Sequence, residues 1–188
     1  HTWRVNQATL LSKDASVLAS ASDDETIRIW SAAKIKRKGG RGTQMPSYSH
    51  TCEHVLRGHD GTVKVLAGSP LRPNAGTNAP KRLLASGGGD STISIWNPYS
   101  GVCVHTITRH TKFIMSLKWS ADASTLVTSS WDQTVCVWDT SDWSLILHFG
   151  PNNHGNDVIM SVCWAPGAEP DRLITAGLDR KIRVWDLV

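Results

Sequence analysis

The chain lacks most of what a membrane, secreted or metal-cluster protein carries. Across 188 residues no apolar run approaches the roughly 18 residues a membrane span needs, which excludes a helical anchor within it. Only four cysteines occur, Cys52, Cys103, Cys136 and Cys163, spaced 51, 33 and 27 residues apart, with no CxxC pair. That scarcity excludes a disulfide framework and predicts a reducing, intracellular setting, nucleus or cytoplasm. No basic-then-apolar leader opens the chain, and its first residue is His1 rather than Met, so the sequence reads as cut from something longer. Walker loops, GxGxxG fingerprints and HExxH helices are also missing. Phe and Tyr number two each, against nine Trp, in a chain 40% hydrophobic and 19% charged. This is the composition of one soluble globular domain with an unusual share of Trp.

What is present repeats. Four segments share one pattern: LASASDDETIRIW ending at Trp30, LASGGGDSTISIW at Trp96, LVTSSWDQTVCVW at Trp138 and LITAGLDRKIRVW at Trp185. Six residues before each Trp stands an Asp: Asp24, Asp90, Asp132 and Asp179. Ten residues before it stands a hydroxyl, Ser20, Ser86, Thr128 or Thr175, and 28 to 37 residues before it a His: His1, His59, His110 and His154. TIRIW, TISIW, TVCVW and KIRVW alternate with period two behind turn-forming Gly, Asp and Ser, which predicts strand, tight turn, strand. FIMSLKWS and VIMSVCWAP supply a strand upstream, and VCVHTITRH or WSLILHFG one after the Trp, so each repeat predicts four strands.

The Trp-to-Trp spacings are 66, 42 and 47 residues, and the shortest matches the ~40 to 45 residue period of a propeller blade. With RGH at 57–59 and VWD at 137–139 and 184–186, these repeats resemble the WD40 family over essentially the whole chain. Arg109 and Asn153 stand where Gly usually precedes the His, and Ser31 and Asn97 where Asp usually follows the Trp. The resemblance implies an all-β propeller of four-stranded antiparallel blades. Four blades fall in this chain as one partial domain, 1–188, with repeats at about 1–58, 59–109, 110–153 and 154–188. The last stops three residues after Trp185, before a fourth strand. Propellers of this family usually have seven blades, so the remaining ones are expected from the rest of the chain or from another chain.

Ser, His and Asp recurring together are the constituents of a hydrolase triad. Catalysis needs such a set once, at a cleft, whereas here it occurs four times, each with a Trp at fixed distance. The resemblance instead implies a buried relay in which Asp accepts from His, His bonds Ser or Thr, and the hydroxyl meets the indole N–H. No enzyme activity, cofactor, metal or membrane contact is expected. His50, Cys52 and His54 alternate along a predicted strand and would share one face, but three ligands without a fourth make a weak metal signal. Gly87, Gly88 and Gly89 belong to the repeat's turn, and His105 and His148 to outer strands.

Two surfaces depart from the repeat. Insertions at 31–53 and 69–82 carry Lys34, Lys36, Arg37, Lys38, Arg41, Arg72, Lys81 and Arg82 against Glu53 alone, while the rest of the chain is net acidic. Both insertions are expected on one rim of neighbouring blades, where they offer contact to RNA or an acidic partner. On the opposite rim, the resemblance places partner contacts just before the turn Asp and at four and six residues before the Trp that ends the first strand. In the third repeat these are Phe113, Met115 and Trp131, and in the fourth Val158, Met160 and Leu178, all apolar. The first two repeats put Arg4, Asn6 and Asp23, then Thr62, Lys64 and Gly89, at the same places. The expected function is a non-catalytic scaffold that assembles a multiprotein complex through these surfaces. Two alternatives are an RNA-associated subunit of ribosome assembly or splicing using the basic loops, and a substrate adaptor of a ubiquitin ligase.

Overall fold

A computed structural model describes residues 1–12, 14, 16–34, 48–72, 80–165 and 172–186. They form four consecutive antiparallel sheets, each built from a single stretch of chain. The first holds β1 (Val5–Leu10), β2 (Val17–Ser22), β3 (Ile27–Lys34) and β4 (Tyr48–Leu56). The second holds β5 (Val63–Gly68), β6 (Leu84–Gly88), β7 (Ile93–Asn97) and β8 (Val102–Ile107). The third holds β9 (Ile114–Trp119), β10 (Thr125–Ser130), β11 (Val135–Asp139) and β12 (Leu145–Phe149). After a short 3-10 turn at Pro151–His154, the fourth shows three strands among the described residues: β13 (Ile159–Ala165), β14 (Arg172–Gly177) and β15 (Ile182–Asp186). The first strands stand side by side, β1 against β5, β5 against β9 and β9 against β13, so the sheets follow one another as blades around an inner edge.

Local sequence explains the hairpins. In every copy the residue after the Asp, Glu25, Ser91, Gln133 or Arg180, takes a left-handed φ between 61 and 72°. The Asp stabilises that turn by accepting the N–H two residues on, at 3.1 Å from Thr26, 3.1 Å from Thr92, 3.0 Å from Thr134 and 3.1 Å from Lys181. Gly87 and Gly88 lie in β6 rather than in the turn. A Cβ on Gly87 would stand 2.7 Å from the Ile114 side chain, so glycine there lets the second blade approach the third.

Packing between blades repeats one scheme. The paired β-branched residues of each third strand press on the Leu and Trp of the next blade. Ile27 and Ile29 meet Leu66, Leu84 and Trp96; Ile93 and Ile95 meet Leu117, Leu126 and Trp138; Val135 and Val137 meet Val162 and Leu173, with Trp185 beside them. Burying each such side chain stabilises the fold by about 1.5–3 kcal/mol. The fourth copies, Ile182 and Val184, are exposed. Trp119 and Trp164, outside the repeat's signature, tie inner strands together by donating their indole N–H to the Ala67 carbonyl at 2.9 Å and the Lys118 carbonyl at 3.4 Å.

The buried polar residues form a relay in each blade. His59 Nδ1 lies 2.8 Å from Asp90, His59 Nε2 lies 2.7 Å from the Ser86 hydroxyl, and the Trp96 indole donates to that hydroxyl at 2.8 Å. The third blade repeats this with His110 to Asp132 at 2.9 Å, to Thr128 at 2.9 Å, and Trp138 to Thr128 at 3.0 Å. In the first, His1 stands 3.0 Å from Asp24 and 2.7 Å from Ser20, with Trp30 to Ser20 at 2.8 Å. Because the carboxylate can only accept, Nδ1 carries the proton, and Nε2 is left to accept from the hydroxyl.

The fourth relay is wired differently. His154 Nδ1 is 3.6 Å from Asp179, too far for a hydrogen bond, and the Arg183 guanidinium stands between them. Arg183 pairs with Asp179 and donates to His154 Nδ1 at 2.9 Å. Nδ1 must then be the bare nitrogen, so Nε2–H donates to Thr175, 2.7 Å away. Burial, then the Arg183 charge, pushes the His154 pKa down and keeps the ring neutral. The Thr that accompanies Asp24, Asp90 and Asp132 is Lys181 here, which removes the hydroxyl that elsewhere joins the carboxylate.

Two expectations follow. In nitrogen-edited NMR, His59 and His110 should show the Nδ1–H tautomer and His154 the Nε2–H tautomer; one tautomer for all three contradicts the assignment. Burial alone would raise the Asp90 carboxyl, but the hydrogen bonds from His59 and Thr92 outweigh it and hold the pKa at about 2, and Asp132 is lowered in the same way by His110 and Thr134. The folded chain therefore binds fewer protons than the unfolded one between about pH 4 and pH 2. Stability present above the ordinary Asp value of 3.8 is lost as pH falls through that window. Replacing Asp132 with Asn should shrink the drop in melting temperature across it, and an unchanged drop would be inconsistent with this account.

Candidate functional site

The rim that carries the Asp turns is assembled by one backbone device used four times. Each inner strand skips a residue in its register with the second strand: Asn6 in β1, Lys64 in β5, Met115 in β9 and Met160 in β13. Such a bulge re-aims the skipped side chain. Beside it, the residue before each Asp donates its N–H to the carbonyl two positions ahead of the skip: Asp23 to Arg4 at 2.9 Å, Gly89 to Thr62 at 2.8 Å, Trp131 to Phe113 at 2.9 Å and Leu178 to Val158 at 2.9 Å. Three positions separated in sequence thereby meet at one place on each blade.

On the first two blades this place is polar and closed on itself. Asn6 donates to Asp23 at 2.7 Å and to the Val63 carbonyl of the second blade at 2.8 Å. Lys64 reaches Asp23 at 3.2 Å, and Arg4 at 3.1 Å. The Asn6 hydrogen bond, against the effect of burial and aided by Lys64 and Arg4, holds the Asp23 carboxyl below the usual range. These groups satisfy one another and latch the first blade to the second.

On the third and fourth blades the same positions are apolar. Phe113 meets Trp131 edge to face at 6.4 Å between ring centroids. Trp131 is 44% exposed and Leu178 53%, with Phe113 and Met160 also exposed and Met115 half-buried. Val158, expected among the partner contacts, is only 7% exposed. Its side chain is buried and adds little to the exposed surface.

The described ends of the basic insertions lie at the rim opposite the Asp turns. Lys34 closes β3 and Tyr48 opens β4, so part of the 31–53 insertion lengthens a hairpin instead of forming a loop. Lys36, Arg37, Lys38 and Arg41 lie outside the described residues. Of the second insertion, Arg72 pairs its N–H with the Lys81 carbonyl at 2.9 Å, and Arg82 donates to the Ser69 carbonyl at 3.0 Å. Arg72 lines an open groove of about 700 Å³ together with Leu71, Asp122 and Asp139.

The shared face expected of His50, Cys52 and His54 does not form. Ile29 pairs with His54 and Trp30 with Cys52, so β4 skips Glu53 and the two side chains fall on opposite faces. Among the described residues no His, Cys, Asp and Glu cluster could hold a metal. Trp143, expected at the start of the strand WSLILHFG, lies ahead of β12, which begins at Leu145. It sits in the β11–β12 turn at φ 63°, a strained conformation for so bulky a side chain. Its ring stacks on His105 of the second blade at 5.5 Å and meets Trp119 edge-on at 6.1 Å, contacts that offset the strain and close the outer seam.

Sheets repeating around an inner edge, with a buried relay in each and side chains gathered at a common rim, define a β-propeller, a class whose rims and loops carry its contacts. The family model "WD domain, G-beta repeat" matches residues 1–31, 50–97, 101–139 and 144–186, and the chain belongs to this WD40 family. It is 26% identical to the ribosome biogenesis protein WDR12 homolog of Anopheles gambiae, over 94% of this chain and 40% of that protein. It is 28% identical to the U5 small nuclear ribonucleoprotein 40 kDa protein of Dictyostelium discoideum, over 93% of this chain and 59% of that protein. It is 29% identical to the anaphase-promoting complex subunit cdc20 of the same organism, over 93% of this chain and 30% of that protein. The chain thus spans between 30% and 59% of the length of these curated relatives.

Exposure separates surface Trp from structural Trp. Trp131→Ala should change unfolding free energy by no more than about 1 kcal/mol, whereas Trp138→Ala should cost about 3–5 kcal/mol. Denaturant unfolding of both variants checks this, and equal losses would place Trp131 in the core instead.

Proposed function

We infer that this chain is part of a non-catalytic scaffold that joins proteins in a larger assembly, with the apolar rim of the third and fourth blades as its docking face. The observation that carries this is the exposed cluster of Phe113, Trp131, Met160 and Leu178 at positions that the first two blades fill with mutually satisfied polar groups. Trp131 has no role in a turn that Asp23, Gly89 or Leu178 serves equally well, and an exposed aromatic residue at such a place is a typical binding anchor. The Ser–His–Asp sets are consumed by the relay: they are buried, repeated and bonded to Trp. The exposed Ile182 and Val184 face suits a further blade, from the same chain or another.

A second reading, an RNA-associated assembly subunit, draws on the Arg72, Lys81 and Arg82 neck of the opposite rim and on relatives named for ribosome biogenesis and for a small nuclear ribonucleoprotein. An intracellular setting, nucleus or cytoplasm, fits both readings. They separate by affinity capture of the full-length protein from lysate, with half the sample treated with nuclease. Companions that persist after nuclease and vanish with Trp131→Ala support the docking face. Companions lost to nuclease and indifferent to Trp131→Ala transfer the function to RNA, and a companion that is a ubiquitin-ligase subunit identifies the adaptor role.

A further inference from the structure

We propose that the apolar rim of the third and fourth blades receives an acidic peptide segment carrying a bulky apolar side chain; this rests on the docking-face reading above and names the chemistry of the partner. The argument is the charge that surrounds the patch. Exposed ionised side chains on the two turns and two connections beside it are Arg109, Lys112, Arg180 and Lys181, against Asp157 alone. The other acids at this rim do not offset them at the surface. Asp132 is turned inward to His110, Thr134 and the Thr111 N–H, and Asp179 is neutralised by Arg183.

The neighbouring half of the rim has the opposite character. There Arg4, Arg57 and Lys64 are matched by Asp23, Glu25 and Asp60, and Arg4 and Lys64 both pair with Asp23. An approaching acidic segment is therefore attracted to one half only, the half where apolar surface waits uncovered. Charges at a rim steer encounter and select partners, while the desolvated centre supplies most of the affinity. Arg180 and Lys181 follow Leu178 in the fourth blade and Lys112 precedes Phe113 in the third, so acids on either side of one apolar anchor would meet cations from both blades.

Cations beside an aromatic ring also describe a single-stranded nucleic-acid site, but this patch is poorly built for one. Base stacking needs successive flat ring faces. Phe113 meets Trp131 edge to face, and the remaining surface is Met115, Met160 and Leu178, which offer no ring.

The test uses the full-length protein and fluorescence anisotropy with four probes: a peptide pool with Asp or Glu flanking a central Leu, Phe or Trp, the same pool with Lys for each acid, the same pool with Ser for each apolar residue, and a single-stranded oligouridine. The acidic apolar pool should bind and the other three should not. Its Kd should rise at least about tenfold with Arg180→Glu combined with Lys181→Glu, by a smaller factor with both changed to Gln, and again about tenfold with Trp131→Ala. Raising salt should weaken binding to the wild type more than to the Glu variant. If the charge variants bind the pool as the wild type does while Trp131→Ala abolishes binding, the rim is a docking face for a neutral segment and the acidic assignment is wrong. If Trp131→Ala also has no effect, the docking-face reading falls with it. Tighter binding of oligouridine than of the peptide pool, or no binding of that pool, overturns the proposal.

Discussion

Hydrogen bonds in three of the blades run in one direction, from an indole N–H to a hydroxyl oxygen, from that hydroxyl to an imidazole, and from the imidazole to a carboxylate. The carboxylate end does double duty. It bonds the His, and it also holds the turn and the N–H of the residue after the His, as with Thr2, Asp60 and Thr111. One Asp thus joins the start of a blade to the hairpin in its middle. Removing it leaves a turn, a ring nitrogen and a backbone donor without a partner. A hydrogen bond to a charged group is worth about 1.5–3 kcal/mol, so the loss is large beside the marginal stability of a domain. The fourth blade keeps this connection by another route: where Lys181 replaces a Thr, Arg183 enters and the proton moves to the other ring nitrogen.

The same constraint sorts structural from functional residues. Whatever every blade must contain serves the blade. The bulge at the inner strand is common to all four, but what it presents is not: Asn6 and Lys64 on one half of the rim, Met115 and Met160 on the other. On the polar half the bulged side chains are used up in bonds between blades. On the apolar half they add to an exposed surface ringed by cations. Function is therefore sought where the repeat supplies a position and the sequence declines to use it for folding.

Much of this was legible from spacing, because a relay that must close across a blade forces His, Ser or Thr, Asp and Trp into fixed register. The failures are equally physical. Alternation in β4 placed Cys52 and His54 on one face, but the skip at Glu53 reverses the phase, and nothing in the local composition announces a bulge. Val158 has the position of a contact residue and the burial of a core one, since blade packing depends on the neighbour and not on the repeat. Trp143 reads in the sequence as the first residue of a strand, and only the His105 ring across the seam explains why an indole occupies a left-handed turn position instead. Arg183 could have been suspected from the loss of Thr at position 181, the one point where the fourth copy lacks a hydroxyl its siblings have.

The central claim is that the rim of the third and fourth blades, and not the basic rim opposite, is where this chain meets its partner. Hydrogen exchange of the full-length protein, compared free and within its isolated complex, measures that directly. The account predicts slowed exchange at amides of 111–115, 131–133, 156–160 and 178–181, with little change near Arg72, Lys81 and Arg82. Protection confined to 69–72 and 80–83, with the Trp131 hairpin exchanging as in the free protein, would contradict it.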